Sequence, residues 1–518
     1  MRLRDHYDWI VLGNNPGALL SASLVSRLGL SVLILPMAPN LGLSVSKSGH
    51  YFDPEPNYLL GLGRSGTHSG LIFECLSHLG VPTPEIEYIG TGSSQPQVLT
   101  PRSRFVLARK EDLSYELQRE FGHEVAQRFG LDGALKRTEL EYLNFWENLP
   151  KRLTLSTEKS SASAEPLTLK DLRRKLKNKL HRSDLKVVPW INSNHTLSEW
   201  VSTIGASDLE DVCTGLWYAV TSSTHSNPAL FELLHILSLS RTGASFRGGM
   251  TAYRKFLLTL ARRLGVHVAA EIDCRRIFVE EGRFAGVQIT GRGNMVSTRG
   301  GILGCSFDKA YNRVTFTGRI WFHKKKKSPV PIGWRFTLSI MIQRDIVMPK
   351  MLPRAVWQEK DAPILEIELT NPSDYGAHDP NYQILHLRTL MPFSMESLKL
   401  DYQKIVAGRM VRQAMEIIPF LETVILHIYP DFRNRVDKSE LQNGNELETL
   451  YGFRTLQEIP DNLLVFAGKG LGSNTGIEGL FIASEESYPE LGSFGPAVAA
   501  TESVAWLAHR SGIAGPLV

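Results

Sequence analysis

The chain has 518 residues, 42% of them hydrophobic and 21% charged, with a formal net charge of +5. That length is too great for one simple core, and the composition is that of an ordinary globular protein built from two interleaved domains. So mild a charge, with no dedicated nucleic-acid motif beside it, excludes nucleic acid as the expected partner. Cys75, Cys213, Cys274 and Cys305 stand far apart with no CxxC pair or Cys/His cluster, so no metal site is expected and a reducing, cytoplasmic compartment fits. Met1 to Arg4 runs into the first strand without a cleavage signal, and no run of about 18 apolar residues occurs, so neither a signal peptide nor a transmembrane helix is expected.

Asp8-Trp9-Ile10-Val11-Leu12 predicts a short buried strand and Gly13-Asn14-Asn15-Pro16-Gly17-Ala18 a tight turn; the apolar spacing from Leu19 to Leu28 predicts a helix. After Gly29, Ser31-Val32-Leu33-Ile34-Leu35 predicts a second strand, completing a βαβ opening of the dinucleotide-binding kind. In such a turn glycines let the backbone approach a pyrophosphate, while the helix N-terminus supplies amides and a partial positive charge. The GxGxxG frame falls on Gly13, Asn15 and Ala18. Asparagine at the second place tolerates a left-handed backbone but adds bulk where the phosphate comes closest. Pro36 stands where an Asp or Glu would hold the ribose hydroxyls, and it offers no side-chain acceptor.

Gly49 to Pro54 reads as a short strand and turn, and Leu71 to Leu79 as a helix. From about Pro82 to Thr242 strands and helices mix without a dinucleotide signature, which suggests an inserted domain. Within it the small, polar run 156–166 predicts a flexible loop. In Leu167–Val188, Thr168 can cap a helix whose Leu169, Leu172, Leu176 and Leu180 form a narrow stripe among eight Lys and Arg residues. Two readings stand: a helix lying on an anionic membrane surface, which would place the protein peripherally on the inner face, or a solvated basic face on a helix packed by its leucines. Lys324 to Lys327 predicts a charged loop tip.

Gly248-Gly249-Met250 opens a predicted helix through Arg263, and Val266-His267-Val268, Cys274 to Val279 and Phe284 to Ile289 follow as strands, the last two joined at Glu281-Gly282. About Trp334 to Tyr451 forms another strand-and-helix segment. Asn462 to Phe466 and Gly479 to Ala483 read as strands, and about Pro496 to Ala508 as a helix.

Together the N-terminal turn, the glycine entry Phe246-Arg247-Gly248-Gly249-Met250, the Cys274 to Ile289 hairpin and Gly479-Leu480-Phe481-Ile482-Ala483-Ser484-Glu485 resemble the flavin-dependent phytoene desaturase and amine oxidase superfamily over nearly the whole chain. The resemblance implies an α/β fold: an FAD/NAD(P)-binding Rossmann-type domain from residues 1–81, 243–330 and 456–518, with an interleaved mixed α+β substrate domain from 82–242 and 331–455. It implies that Gly13, Asn14, Asn15, Pro16, Gly17 and Ala18 sit at the FAD pyrophosphate and that the Cys274 backbone faces the adenine. By the same resemblance Glu485 lies near the ribityl chain, and Ser493 and Phe494 turn amides toward the isoalloxazine. The family's other glycines appear here as Leu41-Gly42-Leu43-Ser44, Ser484 and Glu490-Leu491-Gly492-Ser493.

Two functions follow. One is an FAD-dependent oxidoreductase that passes hydride from an apolar isoprenoid or lipid-like substrate to the flavin through an apolar tunnel, needing little from the protein beyond orientation. The other is a non-catalytic member of the fold, without flavin, that binds a protein partner. No catalytic residue stands out; His50, Tyr51, Asp53, Lys469 and Tyr488 are the polar side chains expected to border a site.

Overall fold

Residues 8–12 carry almost no polar side chain because their strand is covered on both faces, as in parallel sheets generally. In the computed structural model this strand, β1 (His6–Gly13), leads through Asn15 into the helix α1 (Pro16–Arg27) and back into β2 (Val32–Leu35), with which β1 pairs in parallel. The structure describes residues 3–36, 45–47, 50–65, 68–91, 96–106, 113–129, 136–138, 140–141, 174, 196–223, 230–270, 272–291, 296–318, 326–347, 351–359, 362–370, 381–430, 451, 453–467 and 470–510. The predicted loop 156–166 and, Arg174 apart, the basic segment 167–188 lie outside the described residues. Among the described residues no helix is long and apolar enough to cross a membrane.

A central helix, α2 (Gly249–Arg263), returns the chain to the first sheet through His267–Val268 beside β2. The antiparallel pair Cys274–Glu280 and Arg283–Ile289 then leads into β3 (Val296–Gly304), which enters between that pair and β1 and carries Leu480–Ile482 as a further parallel partner. The sequence gives no warning of β3, whose glycines read as a loop. Each of them is set by a close approach. A Cβ at Gly300 would lie 2.6 Å from Trp9 Cζ3, one at Gly301 2.3 Å from the Ile10 carbonyl oxygen, and one at Gly304 2.5 Å from Ala18 Cβ. The glycines thus let the sheet centre hold an indole on one side and α1 on the other.

A second sheet runs Arg104–Val106, Gln97–Leu99, Arg354–Trp357, Leu365–Thr370, Tyr382–Pro392, Pro331–Gln343 and Ile425–Tyr429, with Leu464–Phe466 also paired to Pro331–Gln343. One face is apolar: Trp334, Phe336, Leu338, Leu365, Ile367, Leu385 and Leu387 are buried against the helix Leu400–Ile417. The other carries Thr337, Ser339, Arg354, Glu366, Glu368, His386 and Arg388, all of them buried as well. This face is turned toward the first half of the chain. Lys326, expected in a charged loop tip, is instead half-buried and donates from Nζ to the Asn474 carbonyl at 2.5 Å and the Leu471 carbonyl at 3.3 Å.

Gly301→Ala is expected to destabilise the protein by about 1–3 kcal/mol, because the added methyl would meet the Ile10 carbonyl oxygen at 2.3 Å and the Phe284 ring at 2.7 Å. Gly408→Ala, within the helix Leu400–Ile417 and facing open space, is expected to stabilise it by about 0.5–1 kcal/mol. Urea unfolding of the two variants beside the parent checks both signs.

Candidate functional site

The turn after β1 is built as a helix start that serves itself. Asn15 is the N-cap of α1: its Oδ1 accepts from the Ala18 amide at 2.8 Å, and its carbonyl accepts from Leu19 N at 3.1 Å. Pro16, at the first helical position, has no N–H to offer. The Asn15 Nδ2 donates to the Ala483 carbonyl, tying the turn to the strand Leu480–Ile482. The tolerance of asparagine for a left-handed backbone is not used, since Asn15 is extended (φ −69°, ψ 161°); only Gly13 has positive φ in this turn. A Cβ on Gly17 would stand 2.5 Å from the Pro496 carbonyl oxygen, so the C-terminal helix Gly495–Arg510 abuts the entry to α1 directly. Of the first-turn amides that a pyrophosphate needs, Ala18 N–H is therefore taken from within and Pro16 has none to give.

Beyond the turn, a cavity of about 40 Å3 is lined by Pro16, Tyr58, Met250, Glu485, Ser493 and Pro496, with Glu55, Arg254, Arg335 and Arg354 closing its walls. Glu55 and Arg254, each about 4% exposed at the side chain, form a two-pronged ion pair across it. Arg354 donates to Glu366 at 3.1 Å and to the Ala219 carbonyl, and its guanidinium lies 4.2 Å over the Tyr58 ring. Arg388 pairs with Glu368 and also donates to the carbonyls of Pro54 at 3.2 Å and Glu55 at 2.8 Å. Thr337 Oγ1 donates to the Pro54 carbonyl at 2.6 Å, and the Asn57 amide to Glu368 at 3.3 Å. The segment Asp53–Asn57 is thereby pressed onto the polar face of the second sheet. Among the described residues this junction is a buried, paired, charged surface.

Three acids near this junction are pushed above the ordinary carboxylate range. Burial, then the Glu55 charge, pushes Asp53 up to about 6, although its carboxylate accepts from the Thr251 amide at 3.0 Å and the Glu55 amide at 3.1 Å. Burial likewise lifts Glu485 and Glu486 to about 7. His386 is held well below its ordinary value, first by burial and then by Arg388.

Glu485, Ser493 and, of the turn residues, Pro16 line one cavity. Ser493 spends its hydroxyl on the Tyr58 carbonyl at 3.1 Å, and Phe494 is fully buried beside Gly61. Cys274 is buried, and its carbonyl already accepts from Arg313, which bridges to Asp273 at 3.0 Å. Asn14 and Pro36 are half-buried. Of the expected border residues, Asp53 joins the junction and Tyr488 donates to Glu502 at 2.5 Å, whereas Lys469 lies outside the described residues. The residues that dominate the site, Glu55, Arg254, Arg335, Arg354 and Arg388, were not anticipated. Arg335 and Arg388 lie on the second sheet, whose strands alternate apolar and polar residues, as Leu365-Glu366-Ile367-Glu368 does, a pattern read as a solvent-facing side unless something covers it, while Glu55 lies between strands and Arg254 on α2.

Among the described residues the space for an extended FAD is filled at two points: the cavity between Glu485 and Ser493 is about 40 Å3, against the roughly 300–1,000 Å3 that ligand pockets commonly span, and Asn15 Oδ1 takes the Ala18 amide. Among the described residues no group of three His, Cys, Asp or Glu is arranged to hold a metal ion.

Truncating one member of the buried pair leaves the other unpaired, so Glu55→Ala or Arg254→Ala is expected to cost about 3–5 kcal/mol, and replacing both by Leu and Met far less than the sum. Urea unfolding of the single and paired variants measures this. Because the folded protein holds protons on Glu485 that the unfolded chain releases near its ordinary value, this group's contribution weakens stability as pH rises from about 4.5 to about 7. Glu485→Gln is expected to flatten that decline; the melting temperature of both proteins across this range checks it, the opposite slope from His386 being common to the two.

No protein-family model and no curated protein matches the sequence. Solved structures do match. An oxidoreductase from Methanosarcina mazei superposes with a TM-score of 0.56 at 12% identity, covering 95% of this chain and 98% of that one. Cyclohexylamine oxidase from Brevibacterium oxydans gives 0.51 at 11%, covering 98% and 100%. Putrescine oxidase bound to putrescine gives 0.50 at 12%, covering 98% and 99%. At such identities the likeness is one of fold alone: the Rossmann-type α/β architecture with an interleaved second sheet that these oxidoreductases share.

Proposed function

We propose that this chain is a member of the oxidoreductase fold that has given up FAD and serves as a binding or assembly protein. The observation that carries the reading is the Glu55–Arg254 pair, which stands in the wall of the cavity where Glu485 and Ser493 would otherwise meet a flavin. The self-capped turn at Asn15 supports it from the phosphate end. A fold kept for its surfaces rather than its chemistry needs a stable junction between its halves, and a buried network of paired charges supplies one.

A second reading, an FAD-dependent oxidoreductase, is favoured by Glu485, which lines the cavity at the place implied for an acid near the ribityl chain, and by the fold shared with amine oxidases. The charged face of the second sheet speaks for a polar substrate in that case, not an isoprenoid. Docking on anionic lipid through Leu167–Val188 remains part of either proposal and rests on the sequence pattern alone.

The visible spectrum of the purified full-length protein decides between them. The expected result is no flavin band, no flavin released on denaturation, and none taken up during incubation with FAD. FAD recovered at near one per chain would overturn the binding-protein reading and turn attention to turnover of polar amines and acids.

A further inference from the structure

Among the described residues the apolar face of the second sheet is not covered to its edge. The helix Leu400–Ile417 packs along the strands Pro331–Gln343, Leu365–Thr370 and Tyr382–Pro392 and stops at Ile417. Past that point the sheet continues into Gln97–Leu99 and Arg104–Val106, with Leu99 in register beside Trp357. Between Ile417 and the Leu99–Trp357 pair lies a pocket of about 400 Å3, within the roughly 300–1,000 Å3 of small-molecule sites. It opens on the side of the sheet opposite Arg354 and Arg388 and shares no lining residue with the cavity at Glu485.

The pocket has an apolar floor under a rim of mixed charge, Arg102 and Arg104 with Glu120 and Glu416, in which Arg102 is the cation whose partner is most readily exchanged. Leu99, Met351, Trp357 and Ile417 form the floor. The buried Trp357 indole N–H has no acceptor among the described residues, although buried indoles normally find one. Arg102, Ser103 and Arg104 stand at the rim. The acid nearest them, Glu120, is already committed: it accepts from Arg119 Nε at 2.9 Å and from the Arg104 amide at 2.8 Å. Glu416 is exposed at the end of its helix. Arg102 is largely exposed and meets Asp208 at 3.5 Å, a contact of small net value in water that a ligand oxygen can replace.

We infer that this pocket binds a small amphipathic carboxylate, its apolar body over Leu99, Trp357 and Ile417 and its carboxylate at Arg102. The inference goes beyond the proposed function and holds whether or not the cleft takes FAD.

Equilibrium dialysis of the full-length protein against decanoate, decanol and decyltrimethylammonium tests it. Decanoate is expected to saturate at one per chain and to bind about tenfold or more tightly than the cation, as one charge-assisted contact provides. Arg102→Ala is expected to weaken decanoate about tenfold while leaving decanol unchanged. Met351→Trp, which fills the pocket, is expected to abolish binding of both with the circular-dichroism spectrum retained. Equal binding of decanoate and the cation, or decanoate binding that survives both substitutions, would overturn the proposal. Should Met351→Trp fail to fold, the decanoate-against-decanol comparison in Arg102→Ala decides alone.

Discussion

The junction between the two sheets is organised around charges that have left water together. Arg254 comes from the central helix of the first half, Glu55 from the segment Asp53–Asn57, and Arg388, Glu368, Arg354 and Glu366 from the second sheet. Each guanidinium has a carboxylate, and the carbonyls of Pro54 and Glu55 take the donors left over on Arg388. Burying any one of these ions by itself would be prohibitive; burying them as pairs is tolerable and ties their mutual placement to hydrogen-bond geometry, with Arg354 Nη1 and Glu366 Oε2 left without a hydrogen bond among the described residues. The same set that fixes how the halves meet also occupies the room between them.

That double role explains how much was legible beforehand. The opening βαβ unit, the central helix, the Cys274 to Ile289 hairpin and the C-terminal strand and helix each carry a local pattern, and all are found close to where the pattern puts them. β3 escaped because Gly300, Gly301 and Gly304 answer to Trp9, Ile10 and Ala18, residues about 290 positions away in the chain, and nothing local distinguishes such glycines from those of a turn. The site escaped for a related reason. Glu366, Glu368 and Arg388 have the alternation of a half-exposed strand, and only the packing of Asp53–Asn57 upon them makes that face an interior.

Asn15 shows how a cofactor motif can persist as architecture. The turn needs Gly13 for its backbone and Gly17 for the close approach of Pro496, requirements that come from the protein itself. The second position answers chiefly to a phosphate. With asparagine there, the helix has its own cap and a bond to Ala483, so a position that answers to a ligand in the motif answers to the protein in this chain.

The central strand of the first sheet also has a consequence for synthesis. β1 lies at the start of the chain, its partner β3 begins at Val296, and β3 in turn receives Leu480–Ile482, to whose neighbour Ala483 the N-terminal turn is bonded across 468 positions. A strand as apolar as β1 therefore leaves the ribosome with only β2 for company and waits for more than half the chain before its other edge is covered. Contacts this distant in sequence form slowly, and an uncovered apolar edge invites association in the meantime. The nascent protein is thus a client for chaperones by topology, before any question of its final stability arises.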